Sequence, residues 1–153
     1  MCLFLTKNNS KQITATEDIT CYKIFLLDEN PYLNDKITFI SLFQNYKYQP
    51  YTLYQNKEKI EKIPIVENDF MPPEFTHIIC GGYFHSFANY ADAKTYINYF
   101  NYFFNNKNYT IIQCIIPKNT KYYKGIFEDS FLSYASKSIY ITNNIKLLYH
   151  VPL

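Results

Sequence analysis

The chain has 153 residues, a formal net charge of +2, and 48% hydrophobic against 18% charged residues. That is long enough for one domain, 1–153, with its own core, and far from the charge-rich, apolar-poor composition of a disordered chain. All 15 basic residues are lysine. Arginine is the usual reader of base edges, so its absence disfavours sequence-specific DNA recognition but leaves a lysine contact to phosphate open.

Aromatics make up 20% of the chain, all Tyr and Phe. Together with lysine they admit a stacking reading on single-stranded nucleic acid. The abundance of Asn, Ile, Lys, Tyr and Phe without Arg or Trp is also what an AT-rich genome writes, and codon usage is the simpler account. Cys2, Cys21, Cys80 and Cys114 form no Cys-x-x-Cys pair and are expected to be reduced. No apolar run approaches the ~20 residues of a membrane-spanning helix, so neither a membrane partner nor a signal peptide is expected, and a cytoplasmic location is the default.

In chain order, 1–18 is a polar lead-in after MCLFL. Residues 19–27, ITCYKIFLL, predict a strand in which Cys21, Lys23 and Phe25 face one way and Tyr22, Ile24 and Leu26 the other. Lys23 inside so apolar a strand must snorkel out, find a partner or line a cleft. Asn30-Pro31 marks 28–36 as a loop, 37–43 reads as a strand, and Pro50 relegates 44–54 to an edge. KEKIEK at 57–62 is a solvated turn, 63–66 a short strand, and 69–75 a proline-stiffened connector and candidate lid.

The stretch 76–104 carries the strongest site signal. Residues 76–80 predict a strand ending at Gly81-Gly82, and a helix is expected over 89–104. Asn89 suits its N-cap and Asp92 its first turn, while Ala93, Tyr96, Ile97, Phe100 and Phe104 form one apolar stripe. His85 and Ser86 would then lie at a strand end just before a helix N-terminus, where free N–H groups meet anions. His85 is either a titrating acid–base group or a histidine tying down the turn. They are the candidate catalytic residues. His77, Cys80 and His85 are the alternative zinc ligands, although no second ligand pair of usual spacing accompanies them.

YTIIQCII at 109–116 predicts a buried central strand. PKNTKYYKG at 117–125 reads as a loop, the densest lysine cluster of the chain and a candidate phosphate contact. Residues 138–142 and 145–151 predict a hairpin turning at Asn143-Asn144.

MCL at 1–3, CYKIF at 21–25, GYFHSF at 82–87, IPKNTKYYKG at 116–125 and YAS at 134–136 resemble a group of small uncharacterised bacterial and phage proteins from AT-rich genomes. That group tends to have Gly at the position of Asn119, which implies a left-handed turn there. More faintly, the order of Tyr22-Lys23, then Ser86 with its helix, then Pro117 onward resembles the ADP-ribosyltransferase fold. That likeness implies NAD chemistry. Lys23 stands where the family has Arg or His, no Glu occurs in 134–141 where the catalytic one belongs, and Glu128 comes too early.

The expected fold is α+β: a mainly antiparallel sheet with one principal helix packed on it. The expected function is a small binding module for an anionic, nucleotide-like ligand, with no resident cofactor unless NAD or another nucleotide binds. Its cleft would be lined by Tyr22, Lys23, Gly82, His85, Ser86, Lys118, Tyr122 and Tyr123. One alternative is a phage or mobile-element protein acting on a host protein, and another is an active transferase. No Gly-x-Ser-x-Gly, His-Glu-x-x-His or P-loop speaks for a hydrolase.

Overall fold

The computed structural model describes residues 3–33, 36–41, 47–57, 59–66, 75–79, 83–104, 108–127 and 137–151. In chain order the strands are β1 (Leu3–Thr6), β2 (Ile13–Thr14), β3 (Ile19–Leu33), β4 (Lys36–Ser41), β5 (Lys47–Tyr48), β6 (Leu53–Gln55), β7 (Ile63–Pro64), β8 (Phe75–Ile79) and β9 (Phe84–Phe87). Helix α1 (Tyr90–Phe104) follows, then β10 (Tyr109–Ile116), β11 (Lys121–Phe127), β12 (Lys137–Thr142) and β13 (Asn144–Val151).

The expected α+β class is corrected. Among the described residues the balance is 58% strand to 13% helix, which is nearly all-β. One antiparallel sheet runs in the order β6-β13-β10-β3-β9-β12-β11-β1-β8-β7, with β4, β5 and β2 attached off this path. The helix itself lies where expected. Asn89 Oδ1 accepts from the Asp92 N–H and Asn89 Nδ2 donates to Asp92 Oδ2, both at 2.9 Å, so the cap satisfies one of the free N–H groups of the first turn. Ala93, Tyr96 and Ile97 are buried against β3, β9 and β10. No helix among the described residues is long and apolar enough to cross a membrane.

Two expected loops are strands. Strand β3 continues through 28–33, and its register with β4 shifts between Leu27 and Tyr32. Pro31 lacks an N–H, and a bulge is the place where a long strand tolerates that loss. The lysine-rich 117–125 segment is a four-residue turn followed by β11. In β11, Tyr123 and Gly125 are buried while Lys121 and Lys124 are exposed. From Tyr122 onward the segment alternates as a half-buried strand, with Tyr123 and Gly125 inward and Tyr122 and Lys124 on the other face, while Lys121 is exposed at the strand start.

The expected hairpin over 138–151 is also corrected. Strand β12 pairs with β9 and β11, while β13 pairs with β10 and β6, so the two lie on opposite sides of the β10–β3 centre. The corner at Asn143 is held by Thr142, whose Oγ1 accepts from the Asn144 N–H at 3.2 Å.

Strand alternation builds two cores on opposite faces. Cys21 and Phe25 of β3 join Phe39, Tyr48, Phe84, Cys114 and Leu147 on one face. Ile24 of the same strand joins Phe87, Ile111, Ile141 and the helix residues Tyr96 and Ile97 on the other. Strand β10 lies between them, buried at Tyr109, Thr110, Ile111, Ile112, Cys114 and Ile116, as its apolar run predicts. Between β3 and β9 one pair is in register, Tyr22 opposite Phe87, so the two halves of the sheet are joined through a narrow seam.

Candidate functional site

His85 and Ser86 lie inside β9 rather than in a turn before the helix. Neighbouring strand residues face opposite ways, so the pair cannot line one cleft. Ser86 is on the face of Phe84 and Cys21, and His85 is on that of Phe87.

Lys23 reaches across the seam, where its Nζ donates to the His85 carbonyl at 3.0 Å. The same ammonium stands 5.6 Å from the Phe25 ring centroid. Burial lowers the Lys23 pKa, and Cys114 and Cys21 oppose that shift. Cys21 and Cys114 are directly opposite each other on β3 and β10, and both are fully buried free thiols. Burial pushes the Cys21 thiol up to about 12, against smaller pulls from Ser86 and Lys23. Ser86 Oγ faces that thiol but has no partner of hydrogen-bonding geometry among the described residues. The His85 ring interacts through Nδ1 with the Tyr83 carbonyl at 2.9 Å. A carbonyl only accepts, so Nδ1 carries the proton and Nε2 is left buried without a partner among the described residues. This cluster holds no activated nucleophile. Its thiols are held protonated, and the Lys23 amine is engaged with backbone.

The remaining expected residues divide among other places. Tyr22 packs edge-on against Tyr90 at 5.8 Å on the helix-covered face. Tyr122 meets Tyr140 edge-on at 5.5 Å, and Tyr123 is a core residue. Gly82, Cys80, Glu128, Tyr134 and the 69–74 portion of the candidate lid lie outside the described residues. His77 is on β8, where its Nδ1 lies 2.9 Å from Thr76 Oγ1. Strands β8 and β9 are four steps apart in the sheet, roughly 19 Å at ~4.8 Å per step, so His77 and His85 do not meet around one metal. No group of three metal-ligating side chains occurs among the described residues.

Lys118 lies apart from Lys23. Lys23 is opposite Ile112, and Lys118 is six residues further along, roughly 20 Å at ~3.3 Å per residue. The expected shared cleft of Lys23, His85, Ser86 and the 118–124 segment is therefore not formed.

A different concavity exists at Lys118. Pro117, Lys118, Asn119 and Thr120 form a turn closed by Thr120 N–H to the Pro117 carbonyl at 3.1 Å. Asn119 has φ 69°, the left-handed geometry expected of it, which suits the third position of a type II turn. The turn is held from outside as well. Asn119 N–H donates to the Ala15 carbonyl at 2.8 Å, and Lys118 N–H to Asp18 Oδ1 at 2.8 Å. Across from it lie Leu53 and Gln55 of the edge strand β6 and Asn144 of β13. The pocket between them has a volume of about 220 Å³. One cation, three amides and an apolar side formed by Leu53 and Pro117 meet there. Lys118 was identifiable from the lysine cluster. Leu53, Gln55 and Asn144 had no local signal, because the pairing of β6 with β13 alone brings them to the turn.

The chain matches no protein-family model, no curated protein and no solved structure.

Proposed function

We propose that the protein is a small binding module that takes an anionic, nucleotide-like ligand at the Lys118 turn. The observation that carries this reading is the pocket of about 220 Å³, in which Lys118 stands among Gln55, Asn119 and Asn144 beside the apolar Leu53 and Pro117. A lysine supplies charge to a phosphate or carboxylate, and amides both donate and accept. Leu53 and Pro117 offer a surface for the flat or apolar part of the ligand. The turn is already fixed by its contacts with residues 15 and 18, so little ordering opposes binding. Ligand pockets commonly span about 300–1,000 Å³. This one is smaller, so it suits a phosphate with its sugar and leaves a base outside.

The test is isothermal titration and thermal shift with AMP, ADP, NAD and inorganic phosphate. Lys118→Ala should weaken the tightest of these about tenfold, the loss of one charge-assisted contact of about 1.5 kcal/mol. Lys23→Met should leave the affinity of the folded protein unchanged. The reading fails if none of these ligands binds, or if Lys23→Met abolishes binding while Lys118→Ala does not.

A further inference from the structure

The Lys118 pocket opens onto an exposed part of the helix-bearing sheet face, beyond the residues that the helix packs on. Strand registers place Leu53, Lys146, Ile115 and Thr20 side by side across β6, β13, β10 and β3. Their intervening neighbours Tyr54, Ile145 and Cys114 pack into the opposite core, so these four share the outward face. Leu53 is 47% exposed, and Lys146 and Thr20 are exposed too. Asn144, which lines the pocket, is two residues from Lys146, roughly 7 Å along β13. A second cation therefore continues the track begun by Lys118.

Tyr51 stands two residues before Leu53 at the same sheet edge. Its ring is 69% exposed, and its backbone has φ 57°. A bulky residue in the left-handed region is an outlier that Gly or Asn would occupy with less strain. Strain of this kind, about 1–3 kcal/mol, gathers at functional positions. Here it presents an aromatic residue to solvent at the sheet edge, two residues from Leu53, which lies opposite Lys146.

We infer that this face binds a short single-stranded nucleic-acid segment without sequence preference, with one phosphate in the Lys118 pocket, the next along the chain near Lys146, and a base stacked on Tyr51. The inference rests on the binding reading above and extends it from one nucleotide unit to several. Stacking on an exposed ring with lysines tracking the backbone is how sequence-tolerant single-strand binding works. The exposed Tyr51 ring favours nucleotides over an acidic peptide, which would use the lysines and amides but leave the ring without a stacking partner.

The test is fluorescence anisotropy of the full chain with labelled ten-nucleotide oligo-dT and oligo-U, competed by TMP and by a glutamate decapeptide. The oligonucleotides should bind at least tenfold more tightly than TMP. Lys146→Ala and Tyr51→Gly should each weaken the oligonucleotide at least fivefold and change TMP binding by less than twofold, while Tyr51→Phe retains affinity. Each lysine removed should reduce the slope of log K against log salt by about 0.7. Tyr51→Gly should melt no lower than the parent chain, and Tyr51→Asn provides a second variant suited to the same backbone. If TMP binds and the oligonucleotides bind no tighter, the extended site is wrong and the single-nucleotide reading stands. If neither binds, both fall. Equal competition by the glutamate peptide would assign the face to acidic protein segments and overturn the inference.

Discussion

The Lys23 ammonium donates to the main-chain carbonyl of His85 at 3.0 Å, across the seam where β3 and β9 share one registered pair. A lysine in an apolar strand thus finds its partner in backbone. The carbonyl it caps belongs to a strand that diverges from β3 beyond Tyr22 and Phe87. The same contact brings a cationic group close to the His85 ring, and the electrostatics of this seam follow from that.

His85 should make the fold acid-labile over a defined window. Burial, then the nearby Lys23 charge, lowers its pKa from 6.5 to about 4. The unfolded chain therefore binds the extra proton first as pH falls. Stability from this group is fully present above about pH 6.5 and is lost as pH drops through about 4, with an upper bound of about 3 kcal/mol. Urea denaturation at a series of pH values should show this decline, and His85→Gln should flatten it. A wild-type profile that stays level between pH 6.5 and 4 would contradict the buried, singly protonated ring.

Cys21 and Cys114 should be chemically silent in the folded protein. Both are fully buried, and burial raises both pKa values, that of Cys21 to about 12. The thiolate is the reactive form, so a thiol-disulfide reagent should label neither residue in native buffer and both in guanidinium. Peptide mapping by mass spectrometry distinguishes them from Cys2 and Cys80. Native labelling of Cys21 or Cys114 within minutes would show that the β3–β10 centre opens far more readily than its burial implies.

Gly125→Ala should destabilise the protein by about 2 kcal/mol or more. A Cβ at Gly125 would sit 2.7 Å from both Leu3 Cγ and the Phe4 carbonyl oxygen. Leu3 can shift only within a core where it is fully buried, and the carbonyl belongs to the neighbouring strand. A thermal melt of the variant checks this, and an unchanged midpoint would mean that β1 and β11 are not packed this closely.

Asn89→Ala should cost about 1 kcal/mol by removing the acceptor of the Asp92 N–H, and Asn89→Ser should recover most of it. Chemical denaturation of the three proteins measures both differences. An alanine variant as stable as the parent would show that the cap contributes nothing net.

The elements whose character is local were legible in the sequence. Alternation in 19–27 assigns Phe25 and Ile24 to opposite cores, the run 109–116 predicts a strand buried on both faces, and Asn89 with its apolar stripe predicts the helix. Asn119 marks the left-handed turn. What the sequence could not settle is which strands pair. Periodicity encodes which face of a segment is apolar, but nothing local encodes a register between distant segments. The contact of Lys23 with His85 spans 62 positions, and that of Lys118 with Asp18 spans 100. Tertiary pairing therefore separated Lys23 from Lys118, turned His85 and Ser86 to opposite faces, and made the 138–151 hairpin into two strands with different partners. It also brought Leu53, Gln55 and Asn144 to the Lys118 turn, because edge strand β6 gains its hydrogen bonds by lying against β13.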